Sequence, residues 1–570
     1  MITKVKYIIC GICVICGLFS CSKMLETESD LVEFEEDNTL NHATDSVYSV
    51  MGIINKMQII ADRVVLLGEV RGDLIEATSV ANTDLKHLSA FDFEGTNRYN
   101  QVSDYYAVIN NCNYYLAHVD TAMQRRGRNL FLREYAAVKS YRAWTYLQLA
   151  LAYGDVPLVL EPLMTEKEAR EAMNQSRADI RTICETFIND LMPYVGVNLP
   201  GFCYDNDGSY NQFKDFIIPM RALLGDLCLW AGRYKEAARW YHDFLTDRYD
   251  PVEMSSQGIE WATTQYVSIF NSYSPTSTRE VLSYIPMEEK LFDGTISQLP
   301  NLFNSTRENN YFYQLTPAPG MARISADQIY CTEQSVGTTS KDTLYAPRSG
   351  YTRAEYVGDL RFSSNYNLRS DGQQNEYSEY NSYRQNIDKI LPTRISIYRR
   401  SMVYLRYAEA LNRAGYPQSA FTILKYGIYD KVLKERVDTV ELKQAGDLVF
   451  FDPEIFRYEE GRYSGIHSLG SGDSHANAFY ALPQPTEKLN TRQDTVDYQI
   501  PLVEDMIITE MALEGAFEGN RFNDLMRIAL RRNDPAYLAD PVSLRYGVMN
   551  ADAELRQKLM NPKNWYLPLQ

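Results

Sequence analysis

The chain has 570 residues and a formal net charge of −17 at pH 7, so it is long enough for several domains or for one large helical assembly with insertions. Apolar residues make up 45% and charged residues 23% of the chain, as in an ordinary folded protein. The acidic balance argues against nucleic acid or an anionic membrane surface as the main partner. Tyrosine stands out with 43 residues, and its rigid amphipathic ring is favoured both in cores and where polar ligands are gripped.

The N-terminus is typical of an exported lipoprotein. Lys4 and Lys6 precede an apolar run over Tyr7–Leu18, which is too short for a membrane span and typical of a secretory signal. The run ends in the sequence LFSC, which resembles the lipobox of bacterial lipoproteins, where cleavage precedes a cysteine that is then acylated. We therefore expect residues 1–20 to be a signal peptide and Cys21 to carry the acyl chains that stable anchoring needs. The alternative is a plain signal peptide in which Cys21 is incidental.

Residues 21–40 form an acidic stretch without hydrophobic periodicity. Such a composition is typical of a solvated tether rather than a packed element. The periodic pattern begins after this stretch, so we expect one folded domain over residues 41–570.

Three long helices are predicted in the first part of this domain. Apolar residues recur at three- and four-residue steps over Thr44–Leu67, over Tyr105–Val119 and over Arg133–Ala152. The third helix is apolar over so much of its circumference that we expect it to be buried among other helices. Gly154 is positioned to supply its C-terminal cap, and Pro157 forbids its continuation.

A weak internal repeat predicts two helical pairs. Ala222–Ala237 and Tyr404–Ala420 each have the pattern helix, glycine turn, helix, with a small residue seven positions before the turn glycine and an alanine five positions after it. These offsets resemble the tetratricopeptide pattern, in which small residues let paired helices approach closely. We therefore expect a mostly α-helical fold of tetratricopeptide-like pairs, an α/α superhelix interrupted by long irregular insertions.

Three glutamates near the C-terminus are the strongest catalytic candidates. Glu510, Glu514 and Glu518 recur at four-residue steps, which predicts one helix face. Paired carboxylates of this kind are used in glycosidic hydrolysis. Because Arg and Asp residues follow at 521–527, the preferred interpretation is that these charges pair and orient neighbouring helices.

The sequence gives little support for a metal or cofactor site. His467 and His475 flank the glycine-rich stretch Gly465–Gly472, which lacks the Lys-Ser/Thr of a phosphate loop and is interpreted as a loop. A zinc pair at the two histidines is the alternative there. Asp205–Ser209 has alternating oxygen ligands but lacks the glycine and the closing glutamate of a calcium loop. We predict no bound metal and no cofactor.

The cysteines after Cys21 do not suggest a disulfide framework. They are odd in number and widely spread along the chain. Most of them are expected to be small buried residues: Cys112, Cys184, Cys203, Cys228 and Cys331.

Two insertions, over about residues 69–104 and 260–390, are dense in aromatic and amide residues. Long irregular segments in a compact protein tend to be functional, and a shallow aromatic platform flanked by amides and charged groups suits the C–H faces and hydroxyls of a glycan. The alternative is that these rings pack the loops onto the helices. Tryptophan, the strongest platform for glycans, is scarce here, since only Trp261 and Trp565 are expected outside the helical core. The residues predicted to bind a ligand are Asp73, Phe91, Phe93, Asn97, Tyr99, Tyr273, Phe292, Tyr311 and Tyr313.

Several motifs resemble those of the SusD/RagB family of nutrient-binding lipoproteins. The run Tyr135–Leu158, which ends in YGDVPL, and the block Glu510–Arg527 are similar to two of its signatures. The second departs from the family pattern at Met511, where Arg is usual, and at Gly515, where Leu is usual. Smaller similarities lie in the leader, in Tyr106–Asn113, in the two helical pairs and in the closing segment Trp565–Gln570.

The resemblance implies a non-catalytic, lipid-anchored protein of the outer membrane that faces the cell exterior. It would bind a nutrient, expected to be an oligosaccharide, and deliver it to a SusC-like TonB-dependent transporter during polysaccharide utilisation. The acidic stretch after Cys21 resembles the family's surface-export signal, and the family's ligand site is similarly built from loops outside the helical repeats.

Three alternatives remain at this stage. Some relatives serve peptide transporters, so the ligand of this chain is either a glycan or a peptide. A lipid-anchored glycoside hydrolase would use the face of Glu510, Glu514 and Glu518. A tetratricopeptide-like scaffold would bind only protein.

Overall fold

The computed structural model describes residues 43–197, 213–248, 252, 280–287, 295–304, 313–336, 340–345, 358–370, 383–387, 389–458, 465–472, 477–487 and 489–569. The predicted signal peptide, the lipidated cysteine and the acidic tether lie outside these residues. So do several other residues named above: Cys203, Asp205–Ser209, Trp261, Tyr273, Phe292, Tyr311 and His475.

The described chain is mostly helical, which confirms the predicted fold class. The three long helices of the first part begin and end within a few residues of their expected bounds. In chain order the helices are α1 (Ala43–Glu69), α2 (Thr83–Ser89), α3 (Val102–His118), α4 (Leu132–Tyr153), α5 (Glu166–Met173), α6 (Ile180–Leu191), α7 (Met220–Trp230), α8 (Tyr234–Leu245), α9 (Leu299–Phe303), α10 (Pro319–Ala326), α11 (Leu360–Asn365), α12 (Arg400–Arg413), α13 (Pro417–Tyr426), α14 (Asp430–Arg436), α15 (Thr439–Ala445), α16 (Ser468–Ser471), α17 (Arg492–Gly515), α18 (Arg521–Arg532), α19 (Ala536–Ser543) and α20 (Ala553–Leu559).

The strands are short and form two-stranded antiparallel ribbons within the described residues. They are β1 (Ile75–Ala77), β2 (Gln124–Arg125), β3 (Arg128–Asn129), β4 (Val156–Pro157), β5 (Arg177–Ala178), β6 (Val281–Pro286), β7 (Leu315–Pro317), β8 (Cys331–Val336), β9 (Ser340–Tyr345), β10 (Tyr366–Ser370), β11 (Tyr383–Ile387) and β12 (Arg394–Arg399). The pairs are β1 with β7, β2 with β3, β4 with β5, β6 with β12, β8 with β9, and β10 with β11. Half of the strands, β6 to β11, belong to the second insertion, which is therefore less irregular than its sequence suggests.

Helix α4 runs through the core, as its composition predicts, and nearly all of its residues after the first turn are buried. Two of its tyrosines donate to the backbone of other segments: Tyr141 to the Phe216 carbonyl at 3.0 Å and Tyr146 to the Val159 carbonyl at 2.7 Å. The helix ends at Gly154, whose φ of 72° favours glycine. The Tyr566 ring packs against this glycine, so a side chain at position 154 would also meet that ring.

The two helical pairs predicted from the internal repeat are confirmed as α7–α8 and α12–α13. Their turn glycines, Gly232 and Gly415, have φ values of 79° and 96°. Gly225 lies seven positions before the first of these turns, and a Cβ there would come within 2.4 Å of the Tyr241 ring. The small residue therefore lets the two helices approach closely.

Some expectations about individual residues change in the structure. Trp565 is fully buried, and its indole N–H donates to the Leu559 carbonyl at 2.7 Å, so the expectation that it lies outside the core was wrong. The stretch Gly465–Gly472, interpreted as a loop, contains the short helix α16. The described cysteines that follow the leader are free and buried, as expected: Cys112, Cys184, Cys228 and Cys331.

Candidate functional site

A two-stranded ribbon joins the two insertions that the sequence predicts to bind ligand. Strand β1 from the first insertion pairs with β7 from the second, with Ile75 opposite Pro317. Just beyond the ribbon, the Thr78 N–H donates to the Gln314 carbonyl at 2.9 Å, and the Thr78 hydroxyl donates to the Tyr313 carbonyl at 2.6 Å. Segments that are distant in the sequence therefore contribute to one surface.

Asn82 links the aromatic residues of the two insertions. Its side-chain N–H group donates to Gln314 Oε1 at 2.8 Å and to the Tyr99 hydroxyl at 3.4 Å. Its Oδ1 accepts from the Leu85 N–H at 2.9 Å and so caps helix α2. Because one side chain holds Tyr99, Gln314 and the start of a helix, the positions of the two insertions are coupled.

The loop that carries Tyr99 is held by local hydrogen bonds. Asn97 donates to the Asp84 carbonyl and accepts from the Tyr99 N–H, both at 2.9 Å, and Arg98 Nε donates to Asp84 Oδ2 at 2.5 Å. Tyr99 itself is half-buried, and burial raises the pKa of its phenol. The hydroxyl therefore stays protonated at neutral pH and can both donate and accept a hydrogen bond.

Two aromatic residues at this surface have strained backbone conformations. Phe91 has a φ of 54° and Tyr313 a φ of 55°, a region that bulky side chains rarely adopt. Such conformations cost about 1–3 kcal/mol and persist only where the surroundings impose them. Phe91 is fixed by rings on both sides, with centroid distances of 5.7 Å to Phe522 and 5.9 Å to Phe93. Strain of this kind concentrates at functional sites, which favours a binding role for this surface.

A third segment, Arg545–Asn550, adjoins the same surface and was not predicted from the sequence. The Arg545 carbonyl accepts from the N–H of Gly320 in α10 at 3.3 Å, and its guanidinium donates to the Ser89 hydroxyl at 2.6 Å. Beyond this anchor Met549 is 95% exposed, so an apolar tip stands beside the two insertions. Only the exposure of apolar residues after a glycine turn distinguishes the segment, and that cannot be read from one sequence.

We call this region the tyrosine surface. It offers half-buried aromatic rings, side-chain amides and an apolar tip, and the neighbouring charges of Arg98 and Asp84 are paired with each other at 2.5 Å. Aromatic faces stack on C–H groups, and amides and phenols both donate and accept hydrogen bonds. The surface is thus suited to a neutral ligand with apolar faces and many hydroxyl groups. Its members are Asn82, Phe93, Asn97, Tyr99, Tyr313 and the loop Arg545–Asn550.

The structure separates the predicted ligand residues into two groups. Asp73 and Phe91 are buried at 1% exposure, and Asp73 accepts two hydrogen bonds from Arg521 at 2.6 and 2.9 Å. They lie beneath the surface and support it. The half-buried members of the set are available to a ligand: Phe93, Asn97, Tyr99 and Tyr313.

The three C-terminal glutamates are enclosed in a buried ion network. Arg361 donates to Glu510 at 2.5 Å and to Glu514 at 3.0 Å, while Arg399 donates to Glu514 at 2.8 Å and to Glu518 at 2.6 Å. The expectation that these glutamates pair is confirmed. Their expected partners at 521–527 were wrong, because the cations come from the second insertion and the strand after it. Helix α17 also ends at Gly515, so Glu518 lies beyond it.

This network is unsuited to glycosidic hydrolysis. Glu510 and Glu514 have no exposed surface. Burial alone would raise the pKa of Glu510, but Arg361 and His467 outweigh it and lower that pKa to about 2. A general acid for glycosides needs a raised pKa and access to substrate. The arrangement instead ties helix α17 to the second insertion.

The described residues lack two further features, a membrane-spanning helix and a metal-binding cluster. None of their helices combines the length and the apolar character that crossing a bilayer requires. No group of three or more His, Cys, Asp or Glu side chains among them is arranged to hold a metal ion. His467, one of the histidines considered for zinc, is fully buried and contacts Glu510 at 3.1 Å.

Comparison by sequence and comparison by fold both find similarity to SusD proteins. A model of the SusD family matches residues 374–568. A SusD superfamily protein from Bacteroides vulgatus is similar with a TM-score of 0.57 at 13% identity, over 93% of this chain and 96% of that one. A SusD homolog from Bacteroides thetaiotaomicron has a TM-score of 0.52 at 15% identity, over 94% and 96%. A SusD-like carbohydrate binding protein from Bacteroides fragilis has a TM-score of 0.51 at 15% identity, over 86% and 87%. No curated protein sequence matches the chain.

Proposed function

We propose that this chain, which has the SusD fold along most of its length and the SusD family sequence signature over residues 374–568, is a cell-surface lipoprotein that binds an oligosaccharide. It acts without catalysis and delivers its ligand to a SusC-like TonB-dependent transporter of the outer membrane. The lipid on Cys21 would anchor it there, with residues 21–40 as the tether.

The observation that carries this proposal is the convergence of two distant insertions on one tyrosine surface. Strands β1 and β7 and the side chain of Asn82 hold them together. The surface is rich in rings and amides, which suit the C–H faces and hydroxyl groups of a neutral glycan. One structural relative is described as a carbohydrate binding protein, which supports the same ligand class.

The proposal excludes catalysis because the carboxylate cluster that the sequence suggested as catalytic is paired with cations. Glu510 and Glu514 are fully buried and paired with Arg361, so a substrate could reach them only if the helices separated. Glu518 is 13% exposed, but Arg399 donates to it at 2.6 Å and holds it as an ion pair.

Binding is tested with the purified chain on a glycan array, followed by titration calorimetry with each positive glycan. We expect affinity for one class of oligosaccharide, reduced in the variants Tyr99→Ala and Tyr313→Ala. Tyr498→Ala is the matched control, because Tyr498 is 40% exposed on helix α17. If peptides from a library bind instead, and the same two substitutions weaken that binding, the ligand of the site is a peptide. No binding in either screen would refute the assignment.

Delivery and anchoring need a cellular test. We expect a TonB-dependent barrel to co-purify with the chain from outer membranes, and Cys21→Ala to release the chain from the membrane. A chain that stays membrane-bound without Cys21, or that purifies without any barrel, would contradict this part of the proposal.

A further inference from the structure

A polar cavity that shares no lining residue with the tyrosine surface lies among helices α4 and α7, strand β12 and the segment that leads into α18. Its volume is about 70 Å³, which leaves room for about five water molecules. One face of α4 lines it through Trp144, Leu147, Gln148 and Leu151, whose three- and four-residue spacing brings them together. Trp230, at the end of α7, forms a facing wall. We call it the tryptophan cleft.

The cleft presents polar groups that the protein leaves without partners. In the part of the chain that the structure describes, neither indole N–H, of Trp144 or of Trp230, makes a hydrogen bond, and neither does the amide of Gln148. Asn523 Oδ1 is buried and also lacks a partner. An unsatisfied buried acceptor costs about 1–3 kcal/mol, so water or a ligand is required to satisfy it.

The charged groups of the cleft are already neutralised by one another. Asp226 accepts from Arg406 at 2.8 Å, and Asp524 accepts from Arg527 at 2.8 Å. Glu518 accepts from Arg399 at 2.6 Å, so the three anions and three cations of the lining are paired. The side chains of Asp226 and Arg406 are 10% and 14% exposed, so the cavity is open to solvent. Because no net charge remains to attract an ion, the cleft favours an uncharged ligand over an anion or a cation.

We infer that the tryptophan cleft is a second binding site, for a small neutral polyol or one edge of a terminal sugar ring. The indole rings of Trp144 and Trp230 supply apolar walls for C–H groups, and the Gln148 and Asn523 amides are suited to pair with hydroxyls. The small volume excludes a longer glycan, and the unpaired polar atoms disfavour a purely apolar group. This site is separate from the tyrosine surface and does not depend on its function.

The inference is tested with D-glucose as the probe, by saturation-transfer NMR and by tryptophan fluorescence. The protein is the full chain carrying Tyr99→Ala and Tyr313→Ala, so that the tyrosine surface does not contribute. We expect saturation transfer to glucose, a change in emission, and a dissociation constant on the order of 1–10 mM. Equal or tighter binding of sodium sulfate would overturn the assignment to a neutral ligand.

Two variants locate the bound probe. Gln148→Leu removes an amide at the mouth of the cleft, and Trp230→Phe keeps a ring for Arg527 to cover but removes the indole N–H. We expect each to weaken glucose binding about fivefold to tenfold, with thermal unfolding followed alongside to confirm folding. Trp240→Phe, in the neighbouring helix α8 and absent from the cleft lining, is the matched control and should bind glucose as before. No saturation transfer to glucose, or the same affinity in all three variants, would overturn the inference.

Discussion

The tyrosine surface and the buried ion network are both polar, but the protein treats their polar groups in opposite ways. In the network, Arg361 is fully enclosed and each of its carboxylate partners lies within 3.0 Å. On the tyrosine surface, Tyr99 and Tyr313 are half-buried, and among the described residues each hydroxyl makes one long hydrogen bond, at 3.4 Å. The charged side chains of the network therefore join helix α17 to the second insertion, whereas the neutral rings and amides of the tyrosine surface are left for contact with other molecules.

The largest expected effect tests the structural half of this comparison. Arg361→Met would leave Asp359, Glu510 and Glu514 buried without their shared cation, which should destabilise the fold by about 3–5 kcal/mol. Urea unfolding measures the change. Arg556→Met is the control, because Arg556 and Asp540 pair at 2.6 Å with both side chains 48% exposed, and such a pair contributes less than about 1 kcal/mol. If the two variants are equally stable, buried and exposed ion pairs do not differ in their contribution to stability, and the comparison fails.

A second prediction concerns Glu69, a buried carboxyl that lacks a cation among the described residues. It accepts hydrogen bonds from the N–H groups of Gly519 and Asn520 at 2.8 and 3.2 Å. Burial raises its pKa from 4.5 to about 8. Because the folded-state pKa is the higher one, its stabilising contribution is complete below pH 4.5 and is lost as the pH rises to about 8.

Glu69→Gln keeps the acceptor and removes the titration. We expect the variant to gain stability relative to wild type by on the order of 3 kcal/mol between pH 5 and pH 8, measured by urea unfolding at both values. Glu487→Gln, at an exposed position, is the matched control. A pH-independent difference at position 69 would contradict the raised pKa.

The third prediction tests the ligand-facing half of the comparison. Tyr99→Ala and Tyr313→Ala should each weaken binding of the identified glycan about tenfold, equivalent to about 1.4 kcal/mol, because each removes a ring face and a hydroxyl. Calorimetry measures the affinity, and urea unfolding should show a smaller change than Arg361→Met produces. Loss of folding without a specific loss of affinity would assign these rings to loop packing.

The smallest expected effect concerns the exposed tip of the third segment. Met549→Ser should leave stability within about 0.5 kcal/mol of wild type, as exposed substitutions do. If the tip contacts the ligand, affinity should fall about twofold to threefold. Met192→Ser is the control, because Met192 is 48% exposed and lies outside both insertions. Unchanged affinity in Met549→Ser would restrict the binding surface to the two insertions.

Local sequence signals were sufficient for the helical scaffold. Apolar periodicity located α1, α3 and α4, and Gly154 ended the last of these where its cap was expected. The turn glycines located the two helical pairs. Such features depend on neighbours three or four positions away, so a single sequence contains them.

The candidate site depends on contacts that no local pattern contains. The sequence marked Tyr99 and Tyr313 as aromatic residues of separate insertions, but only the pairing of β1 with β7 brings those insertions together. Burial then placed Asp73 and Phe91 below the surface, although their residue types resemble those of its exposed members. The sequence did not predict that the segment Arg545–Asn550 lies beside the two insertions, because only the contacts of Arg545 bring it there.

The chain's composition and periodicity by themselves determined that it folds as paired helices with aromatic insertions, because helix formation and helix pairing are set by short-range spacing. Only the tertiary structure decided which cations neutralise Glu510 and Glu514, which rings remain half-exposed, and that two tryptophans enclose a polar cleft. These outcomes depend on burial and on contacts between distant segments, and neither quantity is fixed until the whole chain has packed.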